Sequence, residues 1–242
     1  MIAAAAWGAL ASAALLVGAF LALHFRLPER FVGVVMGFGS GALISSIAYE
    51  LVPGSKVRGS GVGMVVAFAA GAVVFFAADR FIDQAGGGKR KNLKAAPGSG
   101  SGSAIFLGTL LDGVPESLVL GMGLATGGAI SVAFLVAVFV SNVPEGVAGT
   151  RSLVATGRTP GRVVQMWFAV VAASAVAAAF GWVVVHAIPA ADGRYASAFA
   201  GGAVLTMLAD AMMPEAFEHG GKAVGLAATL GFLAAAVLSV TE

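Results

Sequence analysis

The stretch LLDGVPESLVLG runs from Leu110 to Gly121, and VSNVPEGVAGT runs from Val140 to Thr150. Each puts a carboxylate directly after a proline, Glu116 after Pro115 and Glu145 after Pro144. Each lies inside an apolar run long enough to cross a bilayer. A carboxylate at the centre of a membrane helix costs about 2.5–3.5 kcal/mol on insertion scales. A proline in a helix interior removes a backbone hydrogen bond. Two such pairs call for a function, and the rest of the chain narrows down which.

The 242 residues are 59% hydrophobic and only 11% charged. Soluble domains carry about 25% charge, so a chain of this composition reads as a polytopic membrane protein, with the lipid bilayer as its solvent. The 35 glycines suit helices that approach closely in lipid. There is no cysteine, which excludes disulfides and thiolate metal sites. The formal charge is +2, and no basic run is interleaved with aromatics, so no nucleic-acid surface is expected. Nor is enzyme chemistry expected. There is no Cys–His or Ser–His–Asp set, and the glycines before Lys89 lack phosphate-loop spacing.

Eight apolar segments of about 20 residues, the length that spans about 30 Å of hydrocarbon, fall near 4–23, 31–51, 61–82, 104–124, 129–150, 163–186, 195–214 and 222–241. The first lacks the basic n-region of a signal peptide and reads as a span. Backbone groups in lipid must be satisfied within the segment, so all eight are expected to be helices. The chain reads as one transmembrane domain, 1–242, with residues 83–103, rich in Gly, Ser and Lys, as a flexible loop within it. Eleven of the fourteen Lys and Arg fall in the loops after spans one, three, five and seven. The positive-inside rule makes those loops cytoplasmic and puts both termini outside. The expected location is the cytoplasmic (inner) membrane.

GALISSIAYELVP, Gly41 to Pro53 in span two, aligns with GAVLTMLADAMMP, Gly202 to Pro214 in span seven. Those spans cross in opposite directions, so spans one to three and six to eight are expected to be inverted repeats. Inverted repeats around a midplane site are a common transporter plan.

Of the twelve acids, most fall in loops or at span ends, Glu218 among them. Glu50 and Glu215 are placed near the outer ends of spans two and seven, each close to a proline. Asp112, Glu116, Glu145 and Asp210 are placed deep, with no Lys or Arg away from the span ends to compensate. Asp112 and Glu116 are i and i+4, and share a helix face. Ser141 and Asn142 stand four and three residues before Glu145. With the hairpin of spans four and five turning near Gly127, Asp112 and Asn142 come to similar depth. Pro115 and Pro144 free the carbonyls of Leu111 and Val140, which can turn toward the same cavity. These oxygens suit a cation, or a proton relay. Three readings stay open: a divalent-cation transporter, a proton- or sodium-coupled carrier of another solute, and a metal-binding relative that does not transport.

DGVPES at 112–117 and SNVPEG at 141–146 resemble the paired signatures of the fourth and fifth helices of the ZIP (Zrt/Irt-like) metal transporters. ALISSIAYELVP and LADAMMPEA resemble the family's second and seventh helices, and the eight-span layout is similar throughout. The resemblance implies a 3+2+3 arrangement of the eight helices. It also implies a path for zinc, iron or manganese along spans two, four, five and seven, with the ion as substrate and no resident cofactor. It carries Asp112, Glu116, Ser141, Asn142 and Glu145 to ligand positions, adds Asp210 and Glu215 on span seven, and suggests a homodimer. The departures are specific. Asp112 stands where the family usually has histidine, and Gly113 offers no ligand. Span six has no acid, so a second adjacent ion is in doubt. His24, His186 and His219 are all expected at span ends, in interfacial or solvated roles. An all-oxygen site favours harder ions than an imidazole site would.

Overall fold

A computed structural model of the chain describes residues 1–51, 61–87, 102–125, 131–187 and 194–241. Among them every regular element is helical: α1 (Ile2–His24), α2 (Glu29–Ser46), α3 (Gly61–Ile82), α4 (Gly102–Ala125), α5 (Val132–Ala155), α6 (Pro160–Ala187), α7 (Arg194–Met207), α8 (Met213–Gly220) and α9 (Ala223–Thr241). Three π turns extend or join them, at Ile47–Leu51, Asp83–Gly87 and Leu208–Met212. The last makes α7 and α8 one continuous stretch, so among the described residues eight helices are long and apolar enough to cross a membrane. This is an integral membrane protein.

Two boundaries differ from the sequence reading. The third span continues through the turn Asp83–Gly87, so the connection to α4 begins later than residue 83; residues 88–101 lie outside the described residues. The seventh span continues to Gly220 instead of stopping at Pro214. Pro214 sits in the first turn of α8, directly after the π turn, inside a helix that runs on without a break.

The eight spans pack four and four. One bundle joins α1, α4, α5 and α6; the other joins α2, α3, α7–α8 and α9. Close approach is written in glycine. A Cβ at Gly41 would meet the backbone of Ala228, and one at Gly231 that of Phe38, which locks α2 to α9. A Cβ at Gly71 would meet the backbone of Phe199, and one at Gly202 that of Phe68, which locks α3 to α7. The bundles meet chiefly where α2 crosses α5 and where α4 crosses α7. Arg26, Arg151, Arg158, Arg162 and Lys222 sit at one end of the molecule, called the basic end below.

Candidate metal centre

α4 and α5 are each 24 residues long, and each carries its proline inside an unbroken helix. Asp112 falls ten residues after the start of α4, and Asn142 ten after the start of α5. The two helices are in contact, and their polar groups lie near mid-span. Five of the expected ligands are buried: Asp112 at 1% exposure, Glu116 at 2%, Ser141 at 0%, Asn142 at 4% and Glu145 at 3%. Such burial of three carboxylates is expensive in lipid unless they are protonated, hydrogen-bonded or bound to a cation.

The neighbours orient these groups. Asn142 Nδ2 donates to the carbonyl of Ala11 on α1 at 3.3 Å, which leaves its Oδ1 as the atom able to serve a cation. Ser141 Oγ donates to the carbonyl of Val138 at 2.9 Å, and its lone pairs remain acceptors. Gly39 brings α2 against Ser141: a Cβ there would stand 2.7 Å from Ser141 Cα and 3.0 Å from its N. So span two touches span five at the ligand set itself. Beside Gly113, where a Cβ would find Ser174 Oγ at 3.5 Å, the sixth span supplies a buried hydroxyl. Sequence reasoning missed Ser174 because it searched span six for acids alone.

The remaining candidates sit elsewhere. Asp210 is exposed, in the π turn Leu208–Met212, and does not join the buried set. It lies well inside the span Arg194–Gly220, but on its exposed side: the buried stripe runs through Val204, Met207, Leu208, Met212 and Ala216, and Asp210 is off it. Glu50 belongs to the π turn Ile47–Leu51, and its side chain lies outside the described residues.

Glu215 is part-buried in α8, five residues before its end. It accompanies the start of α2, at the basic end, and not the end where Glu50 lies. His219 makes the link: its Nε2 is 3.0 Å from Glu215 Oε1, and its Nδ1 is 3.9 Å from Glu29 Oε2. Ligand atoms of Glu215, Glu218 and His219 all fall within 4.8 Å of one another. His219 stands at the end of the span, as expected, but at 8% exposure it is buried there and not solvated. Once the helix passes Pro214, i, i+3 and i, i+4 spacing puts Glu215, Glu218 and His219 on one face. The other two histidines match expectation. His24 and His186 are exposed, each with Nδ1 near the carbonyl four residues back and its ring against an aromatic neighbour.

The fold and site define a helical membrane protein with a buried acidic centre at mid-span. No family model matches the chain, and no curated protein matches it.

Proposed function

We propose that the chain is a divalent-cation transporter of the ZIP-like kind, with zinc, iron or manganese as its substrate class. The observation that carries this reading is the burial, on adjacent helices, of two proline-acid pairs together with Asp112, Ser141 and Asn142. One stray acid is easily explained as a protonated packing group. Three carboxylates at mid-span, with two uncharged oxygen donors beside them, are better matched to a dication that offsets their charge.

The path follows α4 and α5 of one bundle and α2 and α7 of the other, the helices across which the bundles touch. In this reading the basic end faces the cytoplasm, both termini lie outside, and the membrane is the inner one. Glu50 would lie toward the outer mouth, and Asp210 and Glu215 along the cytoplasmic half. Inverted repeats fit the packing. Gly41 and Gly202, aligned in sequence, hold corresponding neighbours: α2 grips α9 as α7 grips α3. In the same alignment the π turn Ile47–Leu51 corresponds residue for residue to Leu208–Met212.

The test is ion flux in proteoliposomes with zinc, manganese and ferrous iron, for the wild type and for Glu116→Gln and Glu145→Gln. Flux in the wild type should fall at least tenfold in each variant. It should also fall at acid pH, since carboxylates must lose protons to bind. Undiminished flux in both variants would overturn the reading.

A further inference from the structure

α4 and α6 pack side by side, and at the basic end a cleft of about 320 Å³ opens between their starts. Arg158, Arg162 and Gln165 line it, together with Phe106, Met166 and Ala169. The arginines precede α6 or fall in its first turn, while Met166, Ala169 and Phe106 lie further into the spans. The cleft therefore has a cationic mouth and an apolar floor. Among the described residues no acid lines it. The sequence gives the reason. No Asp or Glu stands between Asp83 and Asp112, or between Glu145 and Asp192, although those two stretches hold seven Lys and Arg. The turn Asp83–Gly87 packs on α4, but Asp83 is not part of the lining. The positive-inside rule accounts for arginines at this end of the molecule. It does not account for their convergence on one acid-free cleft.

Backbone chemistry places both arginines. α5 ends in a Schellman motif: Gly157 takes φ 86°, its N–H donates to the Val154 carbonyl at 2.9 Å, and the Arg158 N–H donates to the Leu153 carbonyl at 3.3 Å. Arg158 then lies over the start of α4, where a Cβ at Gly102 would stand 3.0 Å from its Nε. The Arg162 N–H donates to Thr159 Oγ1 at 3.4 Å, in the first turn of α6. Arg162 Nη1 donates to Gln165 Oε1 at 3.2 Å, which leaves the amide nitrogen of Gln165 as a donor toward the cleft. Cations beside a helix start oppose its macrodipole, and neither α4 nor α6 has an acid in its first turn. An anion between the two guanidinium groups offsets both costs.

We propose that this cleft binds an anionic phospholipid, with its phosphate on Arg158, Arg162 and Gln165 and an acyl chain along Phe106, Met166 and Ala169. Guanidinium groups match phosphate oxygens with paired N–H donors, and basic pockets between membrane helices hold anionic head groups. A soluble anion would use the arginines and leave the apolar floor uncovered. Ala169 and the adjacent Phe168 are exposed on the side of the span, so the floor opens toward the bilayer. Bound lipid ties the start of α4 to the start of α6. The other basic cleft, between α1 and α5, is less suited, because Arg151 there is already engaged, its Nη2 donating to the Leu27 carbonyl at 2.8 Å. The inference rests on the chain being a membrane protein and not on the transport reading.

The experiment is native mass spectrometry of the full chain in detergent, titrated with phosphatidylglycerol or phosphatidylcholine, with and without excess inorganic phosphate. The expected result is one phosphatidylglycerol per chain, bound at least tenfold more tightly than phosphatidylcholine and not displaced by phosphate. The double variant Arg158→Gln, Arg162→Gln should erase that preference. Ala169→Phe fills the floor at unchanged charge and should weaken phosphatidylglycerol at least tenfold. Arg30→Gln removes a charge from the same end without touching the cleft, and should bind like wild type. All four side chains are exposed, so the variants should fold, and thermal melting in detergent checks that they do. A preference that survives in the double variant, or that is lost equally in Arg30→Gln, would overturn the proposal. So would displacement of the lipid by inorganic phosphate, which would make the cleft a site for a soluble anion.

Discussion

Replacing Gly39 by alanine drives a methyl group into the contact between α2 and α5. The new Cβ would stand 2.7 Å from Ser141 Cα, 2.9 Å from its Cβ and 3.0 Å from its N. Carbon atoms rest about 3.5–4.0 Å apart, so the helices must part by about 1 Å. Rotation offers no escape, because those atoms are backbone or fixed to it. Overpacking of this kind costs about 1–3 kcal/mol. If binding carries that cost, it weakens about 5- to 150-fold, at about 1.4 kcal/mol per tenfold. Coordination distances tolerate only about 0.2 Å, so a 1 Å retreat of Ser141 from the ligand set falls at the upper end of that range. The control is Gly123→Ala on α4. It meets nothing within 4 Å, and alanine in a helix interior gains about 0.5–1 kcal/mol over glycine. Zinc and manganese binding in detergent, flux in liposomes and thermal melting would be measured for both variants. If Gly39→Ala binds and transports like Gly123→Ala, span two does not hold the ligand set, and the centre should be redrawn without it.

Three further outcomes are expected. The chain has no native cysteine, so Thr159→Cys, exposed in the turn between α5 and α6, gives a single thiol that should resist an impermeant reagent in intact cells; labelling from outside would reverse the orientation. Thr150→Val should lower stability by about 1–3 kcal/mol, because the indole N–H of Trp167 donates to Thr150 Oγ1 at 2.8 Å and both residues are buried; Thr150→Ser should melt near wild type, and equal melting of all three would deny the bond any worth. Asp112→His should raise zinc uptake relative to manganese in a competitive assay at fixed pH, since it exchanges an oxygen for a nitrogen ligand; an unchanged or lower ratio would remove Asp112 from the centre.

The eight helices were legible because lipid leaves a spanning backbone few choices, and hydropathy alone finds the segments. Asp112, Glu116, Ser141, Asn142 and Glu145 were legible for the same reason: a polar group in an apolar run must be hidden, and all five are. The seventh span was not, and its cause is local. Gly201, Val204 and Leu208 set a buried face that a plain α-helix would continue through Ala211 and Glu215. The π turn Leu208–Met212 inserts an extra residue, and the buried face moves on to Met212 and Ala216. Asp210, two residues after Leu208, falls on the opposite side of the helix with or without the extra residue. Ala216, not Glu215, meets α2 where Gly33 makes room. Glu215 is turned toward His219 instead, along a helix the sequence reading ended at Pro214. Hydropathy cannot count the extra residue, because a π turn buries and exposes the same amino acids as an α turn in a different order. The one trace it leaves in the sequence is the alignment of 41–53 with 202–214. There the π turn Leu208–Met212 stands in register with Ile47–Leu51, so the element that moves Glu215 off the buried face is also one that fits the repeat.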